Sequence, residues 1–236
     1  MEKVIYVLWR GAQSERAGWG AALRGTLAQR LLGLGAAGVQ VNVCDDEAQG
    51  AAPTFHSSRP AMDAFVSVWL DTANAVRRRP FDDAVGELAG RFAAYLVTES
   101  RPMTNTRFPP KPGERTAGFA QVALFQRPPR LSQQAWLEVW LGSHTQIAID
   151  TQDTFLYVQN VVSRALTFDA PPYGAIVEEG FSPAAFGNLR AFYDASDDEA
   201  KFARNQAAMA KSCQRFIDFD KLDVVQTSQY LIQAIA

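Results

Sequence analysis

The sequence predicts an α+β fold in which two tandem ferredoxin-like repeats, each of order βαββαβ, close into one α/β barrel. The predicted strands and helices follow that order over residues 1–103 and again over 117–236. Between them, residues 104–116 contain three prolines and one glycine, which is typical of a stiff linker. A four-stranded sheet with helices on one face leaves the other face bare, so two such sheets can cover each other.

A spacing of residues also repeats between the two halves. Arg10 and Trp19 are nine positions apart, as are Arg127 and Trp136, at an offset of 117. The same offset places His144 opposite Leu27, so the first repeat lacks the histidine. Some polarity inside the predicted barrel would mark a ligand cavity, and we expect its polar groups to come from the second repeat.

The composition is that of an ordinary globular protein and excludes several classes of function. Of 236 residues, 47% are hydrophobic and 20% charged, and the net charge of −2 favours neither nucleic acid nor an anionic membrane as a partner. No apolar run is long enough to span a bilayer, and the amino terminus is predicted to be a strand and not a signal peptide. Two distant cysteines predict neither a disulfide nor a zinc site, which favours a cytoplasmic location.

The first repeat is assigned from hydrophobic periodicity. Its predicted strands, which are rich in β-branched and aromatic residues, cover 3–10, 39–45, 64–71 and 91–100. One helix is predicted over 14–34, and a second over 80–90, where Pro80 suits the first helical turn. The Ala-, Pro- and Ser-rich segment 46–63 is predicted to be a loop.

The second repeat follows the same pattern. Its predicted strands cover 117–127, 155–167 and 222–232, and residues 171–181 are predicted to form a turn followed by another strand. One helix is predicted over 132–152, and one or two more within 183–218.

The helix predicted over 132–152 carries the most chemically informative pattern in the chain. Ser132 stands at the N-cap position, where its hydroxyl can accept from free backbone amides. Trp136, Trp140, His144 and Ile147 follow at spacings of four, four and three, which places them on one face. That face is apolar except for one imidazole.

This part of the chain resembles the EthD family. The segment RPPRLSQQAWLEVWLGSHTQIAIDTQ, the later YVQN and the strand GAIVEEGF are similar to the motifs of that family, over about 118–232. The resemblance implies a dimeric α/β barrel and a loose association with the oxidative breakdown of small organic compounds. It also implies a role for Asn160 and for an acidic residue in the next strand.

The predicted catalytic pair is His144 and Glu178. An imidazole suits general acid–base chemistry at neutral pH, and a carboxyl group that faces a cavity can act as its partner. Glu178 and Glu179 are adjacent on a strand and point to opposite faces, so only one of them can face the cavity. The alternatives are a His144 that is merely packed in the core and glutamates that lie at a solvated edge.

The predicted substrate-binding residues surround that pair. Trp140 lies one turn from His144, although buried tryptophans are more often core residues. The other predicted ligand contacts are Tyr157, Asn160, Tyr173 and Glu179. Strand alternation places Tyr157 and Asn160 on opposite faces, and either face can line the barrel.

Three functions are consistent with these residues. The first is a cofactor-independent enzyme for oxygenation, decarboxylation or isomerisation of a small hydrophobic compound. The second is a non-catalytic protein that binds such a compound, and the third is a haem protein with His144 as the axial ligand. No nucleotide-binding motif is present, and two histidines are too few for a multi-histidine metal site, so no cofactor or metal is expected. We expect a homodimer.

Overall fold

The computed structural model describes residues 1–235, which form one antiparallel sheet of nine strands with helices on its outer side. The strands are β1 (Glu2–Trp9), β2 (Gly38–Val43), β3 (Phe55–His56), β4 (Ala64–Leu70), β5 (Arg91–Met103), β6 (Phe119–Phe125), β7 (Thr154–Ala165), β8 (Ala175–Phe181) and β9 (Leu222–Gln233). The α-helices are α1 (Arg16–Ala22), α2 (Ala28–Gly33), α3 (Ala75–Gly86), α4 (Gln133–Leu137), α5 (Thr145–Thr151), α6 (Leu189–Phe192) and α7 (Glu199–Gln214).

Eight of these strands close into a barrel. Their order is β2-β4-β1-β5-β7-β8-β6-β9, and β9 pairs back onto β2. Within each half the order is that of a ferredoxin-like sheet, and the pairs β5–β7 and β9–β2 join the halves. The short β3 adds to β9 outside the ring. The predicted α+β barrel from two βαββαβ repeats is confirmed.

Strand alternation divides the apolar side chains between the two faces of the barrel wall. On β1, Tyr6 packs outward against the helices, in a cluster that includes Leu23. Its neighbour Ile5 points inward, in a cluster that contains Tyr95 from the first half and Ile176 from the second. Both faces are therefore buried, and the inward face holds the two halves together.

The main helix of each half is interrupted by a π-helical turn at the same place in the repeat. These turns are Leu23–Leu27 and Glu138–His144, and the offset of 117 superimposes their final residues. A π turn inserts one extra residue and is frequent at functional sites. Here the consecutive residues His144 and Thr145 are both buried, with the Thr145 hydroxyl donating to the Trp140 carbonyl at 2.8 Å.

The paired tryptophans that suggested a repeat have equivalent contacts. The indole Nε1 of Trp19 donates to the Leu88 carbonyl at 2.8 Å, and that of Trp136 donates to the Phe216 carbonyl at 3.1 Å. Each indole therefore ties the first helix of its half to a segment near the second helix. The predicted buried face is also present, since Trp136, Trp140 and His144 are all buried.

Some predicted boundaries were wrong. The helix predicted to start at Pro80 starts at Ala75, because Asn74 caps it by accepting from the Val76 amide at 3.0 Å. The predicted loop 46–63 contains β3.

A glycine just before β6 supports a testable prediction on stability. Gly118 has φ of +83°, and a Cβ there would lie 1.9 Å from the Phe181 carbonyl oxygen. We expect Gly118→Ala to lower the free energy of unfolding by ~3 kcal/mol or more, since backbone strain and a backbone clash add together. Gly113, with φ of +75° and open space around it, is the matched control. Gly113→Ala should lower the free energy of unfolding by only about 1–2 kcal/mol. Equal losses in urea unfolding would contradict the clash.

Candidate functional site

A cavity of about 390 Å³ lies between the outer face of the second half of the sheet and the helices of that half. Its walls are mainly apolar and include Phe125, Val177, Phe192, Met209, Phe216 and Val224. Pro53 and Phe55, from the long loop of the first half, border it as well. The ligand cavity was predicted to lie inside the barrel, whereas the cavity that contains His144 is outside the barrel wall.

His144 ends the π turn, and its imidazole is buried against the ring of Phe216 at a centroid distance of 4.5 Å. Its Nδ1 lies 2.9 Å from the Ser212 hydroxyl, which also accepts from Arg215 at 2.9 Å. The hydroxyl can donate to Nδ1 while it accepts from Arg215, and we assign that tautomer to His144. In that tautomer the single N–H proton of the neutral ring is on Nε2, which is then a donor at the cavity.

The imidazole is neutral at physiological pH. Burial, reinforced by the nearby charge of Arg215, lowers the pKa of His144 to about 4. A neutral ring with a proton on Nε2 is a hydrogen-bond donor toward the cavity. It is therefore suited to hold an oxygen atom of a ligand and is poorly suited to act as a base.

Glu179, on the outward face of β8, is the carboxyl group of this cavity. Its Oε2 accepts from the Gln121 amide at 3.0 Å, while its buried Oε1 has no partner within residues 1–235. Burial raises the pKa of Glu179 to about 7. A carboxyl group of this kind exchanges protons readily near neutral pH, and its second oxygen is free of hydrogen bonds to the described residues.

Two aromatic side chains add polar atoms to the same cavity. Trp140 is fully buried, and its indole N–H faces the Tyr157 hydroxyl without the geometry of a full hydrogen bond. Tyr157 is also buried, and desolvation raises the pKa of its hydroxyl well above the ordinary value. Buried donors are normally satisfied, so the indole N–H, which forms no full hydrogen bond within residues 1–235, is a candidate ligand contact.

The other predicted site residues lie on the inner face of the barrel wall. Glu178 accepts hydrogen bonds from the side-chain amides of three inward-pointing residues: Gln40, Asn42 and Gln229. Asn160 donates to the Ile176 carbonyl at 3.0 Å, and Tyr173 donates to Asp223 at 2.7 Å.

The structure therefore brings together His144, Glu179, Trp140 and Tyr157. It does not bring Glu178, Asn160 or Tyr173 to that cavity. The pairing of His144 with Glu178 is corrected to His144 with Glu179, because alternation along β8 turns the two glutamates to opposite sides of the wall.

The sequence analysis missed several polar residues of this site. Gln121 holds Glu179, and Ser212 and Arg215 orient His144. Buried Gln152 also borders the cavity, with an Oε1 that has no partner among the described residues. A signal existed for Gln121, since a single amide in the apolar strand AGFAQVALF must find a partner. Ser212 and Arg215 lie in a helix end with no motif.

The haem hypothesis finds little support in the surroundings of His144. An imidazole that ligates a metal through Nε2 usually donates its Nδ1–H to a carboxylate or a carbonyl. Here Nδ1 faces the Ser212 hydroxyl, and in the assigned tautomer the ring N–H is on Nε2. These residues do not fit an axial ligand. Within residues 1–235, no three His, Cys, Asp or Glu side chains are grouped as metal ligands would be.

Comparison with known proteins identifies the type of fold. No family model and no curated protein matches the chain. An anthrone oxidase-like protein of known structure is similar over 100% of this chain and 94% of its own, with 12% identity and a TM-score of 0.59. A "putative monooxygenase" of Fusobacterium nucleatum is similar over 98% and 92%, with 8% identity and a TM-score of 0.51. At such identities the likeness concerns the fold alone, which is of the dimeric α/β-barrel type.

None of the helices within residues 1–235 is both long enough and apolar enough to cross a bilayer.

Proposed function

We propose that this protein is a cofactor-independent enzyme that removes a proton from a small hydrophobic compound carrying a carbonyl or phenolic oxygen. The observation that carries the proposal is the free carboxyl oxygen of Glu179, buried in an apolar cavity that also contains His144. A buried base with a pKa near 7 combines an adequate ionised fraction with sufficient basicity.

The remaining polar groups support the same step. Removal of a proton next to a carbonyl, or from a phenol, leaves negative charge on the substrate oxygen. The Nε2–H of His144 and the indole N–H of Trp140 are neutral donors at the same cavity, and both can stabilise that charge. Apolar walls exclude water and strengthen these interactions.

Dioxygen is the co-reactant that we propose for the deprotonated substrate. An activated methylene group that loses its proton and reacts with dioxygen yields a carbonyl group and one water, so that R₂CH₂ + O₂ becomes R₂C=O + H₂O. The likeness in fold to a protein described as anthrone oxidase-like supports this choice over decarboxylation or isomerisation. Membership of the EthD family and a homodimer remain predictions from the sequence.

Hydrogen exchange separates the proton transfer from the later chemistry. Anthrone, as an activated methylene probe, is incubated anaerobically with the protein in D₂O, and deuterium incorporation is followed by mass spectrometry against a buffer control. Oxygen uptake is then measured in air. We expect catalysed exchange without air and stoichiometric uptake with it. Exchange without uptake would favour an isomerase. Binding of a panel of such compounds with neither exchange nor uptake would favour the non-catalytic binding protein.

Replacement of His144 by phenylalanine tests the role of the donor. We expect turnover to fall roughly 10²-fold, the usual effect of removing one donor to a developing oxyanion. The free energy of unfolding should change by less than ~2 kcal/mol, since the ring volume is kept in an apolar contact with Phe216. Turnover is compared with the urea unfolding midpoint of the same preparations. A severe loss of stability together with unchanged turnover of the folded fraction would favour a purely structural histidine.

A further inference from the structure

A second cavity, of about 220 Å³, opens at one end of the barrel interior, on the opposite face of the wall from His144. Its apolar surface is formed by Trp69, Leu156, Val158 and Leu231. Parts of the segment 104–110 border it from outside the barrel. The volume is sufficient for a small organic molecule, and the mechanism proposed above makes no use of it.

Two cations flank the indole of Trp69 at this cavity. The Nζ of Lys3 lies 4.8 Å from the ring centroid and the guanidinium carbon of Arg101 lies 5.7 Å from it. Both cations pair with the same carboxylate, Glu99, through different oxygens. Lys3 is only 5% exposed, so its ammonium group is held away from bulk water.

The hydrogen-bond donors of this cluster exceed its acceptors. An ammonium group has three N–H donors and a guanidinium has five. Glu99 is the one acceptor that either Lys3 or Arg101 contacts among residues 1–235. The other carboxylate of the cavity, Glu178, attracts Lys3 electrostatically, but its oxygens accept from the side-chain amides of other residues.

The unpaired N–H donors of Lys3 and Arg101 indicate which kind of ligand would fit this cavity. A buried charged donor without an acceptor is costly, and burial accordingly lowers the pKa of Lys3. An anionic oxygen would satisfy donors of both cations. The adjoining wall is an indole face with three aliphatic side chains, which suits an apolar group attached to that anion.

We propose that the end of the barrel is a second ligand site, which binds a small monocarboxylate by its carboxylate group on Lys3 and Arg101 and by its apolar tail on Trp69. The site is separate from the His144 cavity, since the β-sheet wall lies between them. Its existence does not depend on the proposed reaction.

Isothermal titration calorimetry tests the site with butyrate as the probe and butyramide as its uncharged counterpart. We expect butyrate to bind and butyramide to bind at least about tenfold more weakly, the usual effect of losing a charge-assisted hydrogen bond. Lys3→Met should weaken butyrate binding by a similar factor. Arg101→Gln, at a side chain that is 42% exposed, tests the same contact with less risk to folding. The His144→Phe variant should bind butyrate as the wild type does.

Several results would overturn the proposal. Equal affinities for butyrate and butyramide would exclude recognition of the charge. An affinity for chloride or acetate equal to that for butyrate would exclude the apolar part of the site. Wild-type affinity in folded Lys3→Met and Arg101→Gln would place butyrate elsewhere, and absence of any heat with butyrate at millimolar concentrations would exclude the ligand class.

Discussion

Glu179→Gln is expected to lower turnover by about 10²–10⁴-fold, the usual contribution of a positioned general base. The amide keeps the shape of the side chain and its contact with Gln121, but it cannot accept a proton at neutral pH. Ligand affinity should therefore change little while the chemical step is lost. Anaerobic deuterium exchange and oxygen uptake with anthrone measure the loss, and equilibrium dialysis of the same compound measures binding.

The neighbouring glutamate provides a matched control. Glu178→Gln makes the same chemical change one residue earlier in β8, on the inner face of the wall. It should cost stability, because the carboxylate accepts several amide hydrogen bonds, yet leave the turnover of the folded protein largely intact. The reverse outcome, with turnover lost in Glu178→Gln and kept in Glu179→Gln, would contradict the assignment of the base.

The dependence of stability on pH is the second large expected effect, because the two titratable groups of the cavity act in opposite directions. The folded pKa of Glu179 is raised from 4.5 to about 7, so its contribution to stability is present below pH 4.5 and is lost as the pH rises through 7. The folded pKa of His144 is lowered from 6.5 to about 4, so its contribution is present above pH 6.5 and is lost as the pH falls through 4.

Each single variant should reveal the group that remains. At about 1.4 kcal/mol per pKa unit, each of these shifts amounts to ~3 kcal/mol in the free energy of unfolding. Relative to wild type, the free energy of unfolding of Glu179→Gln should increase by up to that amount as the pH rises from 4.5 to 7. For His144→Phe the free energy of unfolding should instead increase relative to wild type as the pH falls from 6.5 to 4. In the wild type the contributions of the two groups to the pH dependence nearly cancel between pH 4.5 and 6.5.

Urea unfolding at several pH values between 4 and 7.5 measures these differences. Each variant is compared with wild type at the same pH, which removes the contributions of the other titrating groups. Parallel profiles for wild type and both variants would show that neither group has a perturbed pKa. A slope of the wrong sign in either variant would contradict the burial argument for that residue.

Much of the fold could be predicted from local pattern. Apolar alternation identified eight barrel strands, and the nine-residue Arg–Trp spacing identified the repeat, because equivalent positions in both halves make equivalent contacts. The stripe of Trp136, Trp140 and His144 is buried as helical spacing predicted. Such features depend on side chains a few residues apart, which the backbone geometry of a helix or strand relates directly.

The site depended on distant parts of the chain. Strand alternation showed that Glu178 and Glu179 point to opposite faces of β8. The helices α4 and α5 pack on the outer face of the barrel wall, so Glu179, on that face, shares the cavity with His144. The role of His144 depended on Ser212, 68 residues later, whose hydroxyl pairs with Nδ1 and in the assigned tautomer leaves the ring proton on Nε2. The sequence alone therefore determined the two repeats, their barrel and the candidate polar residues. Only the tertiary structure decided which of them share a cavity, because pKa values and proton positions depend on burial and on partners that are remote in sequence.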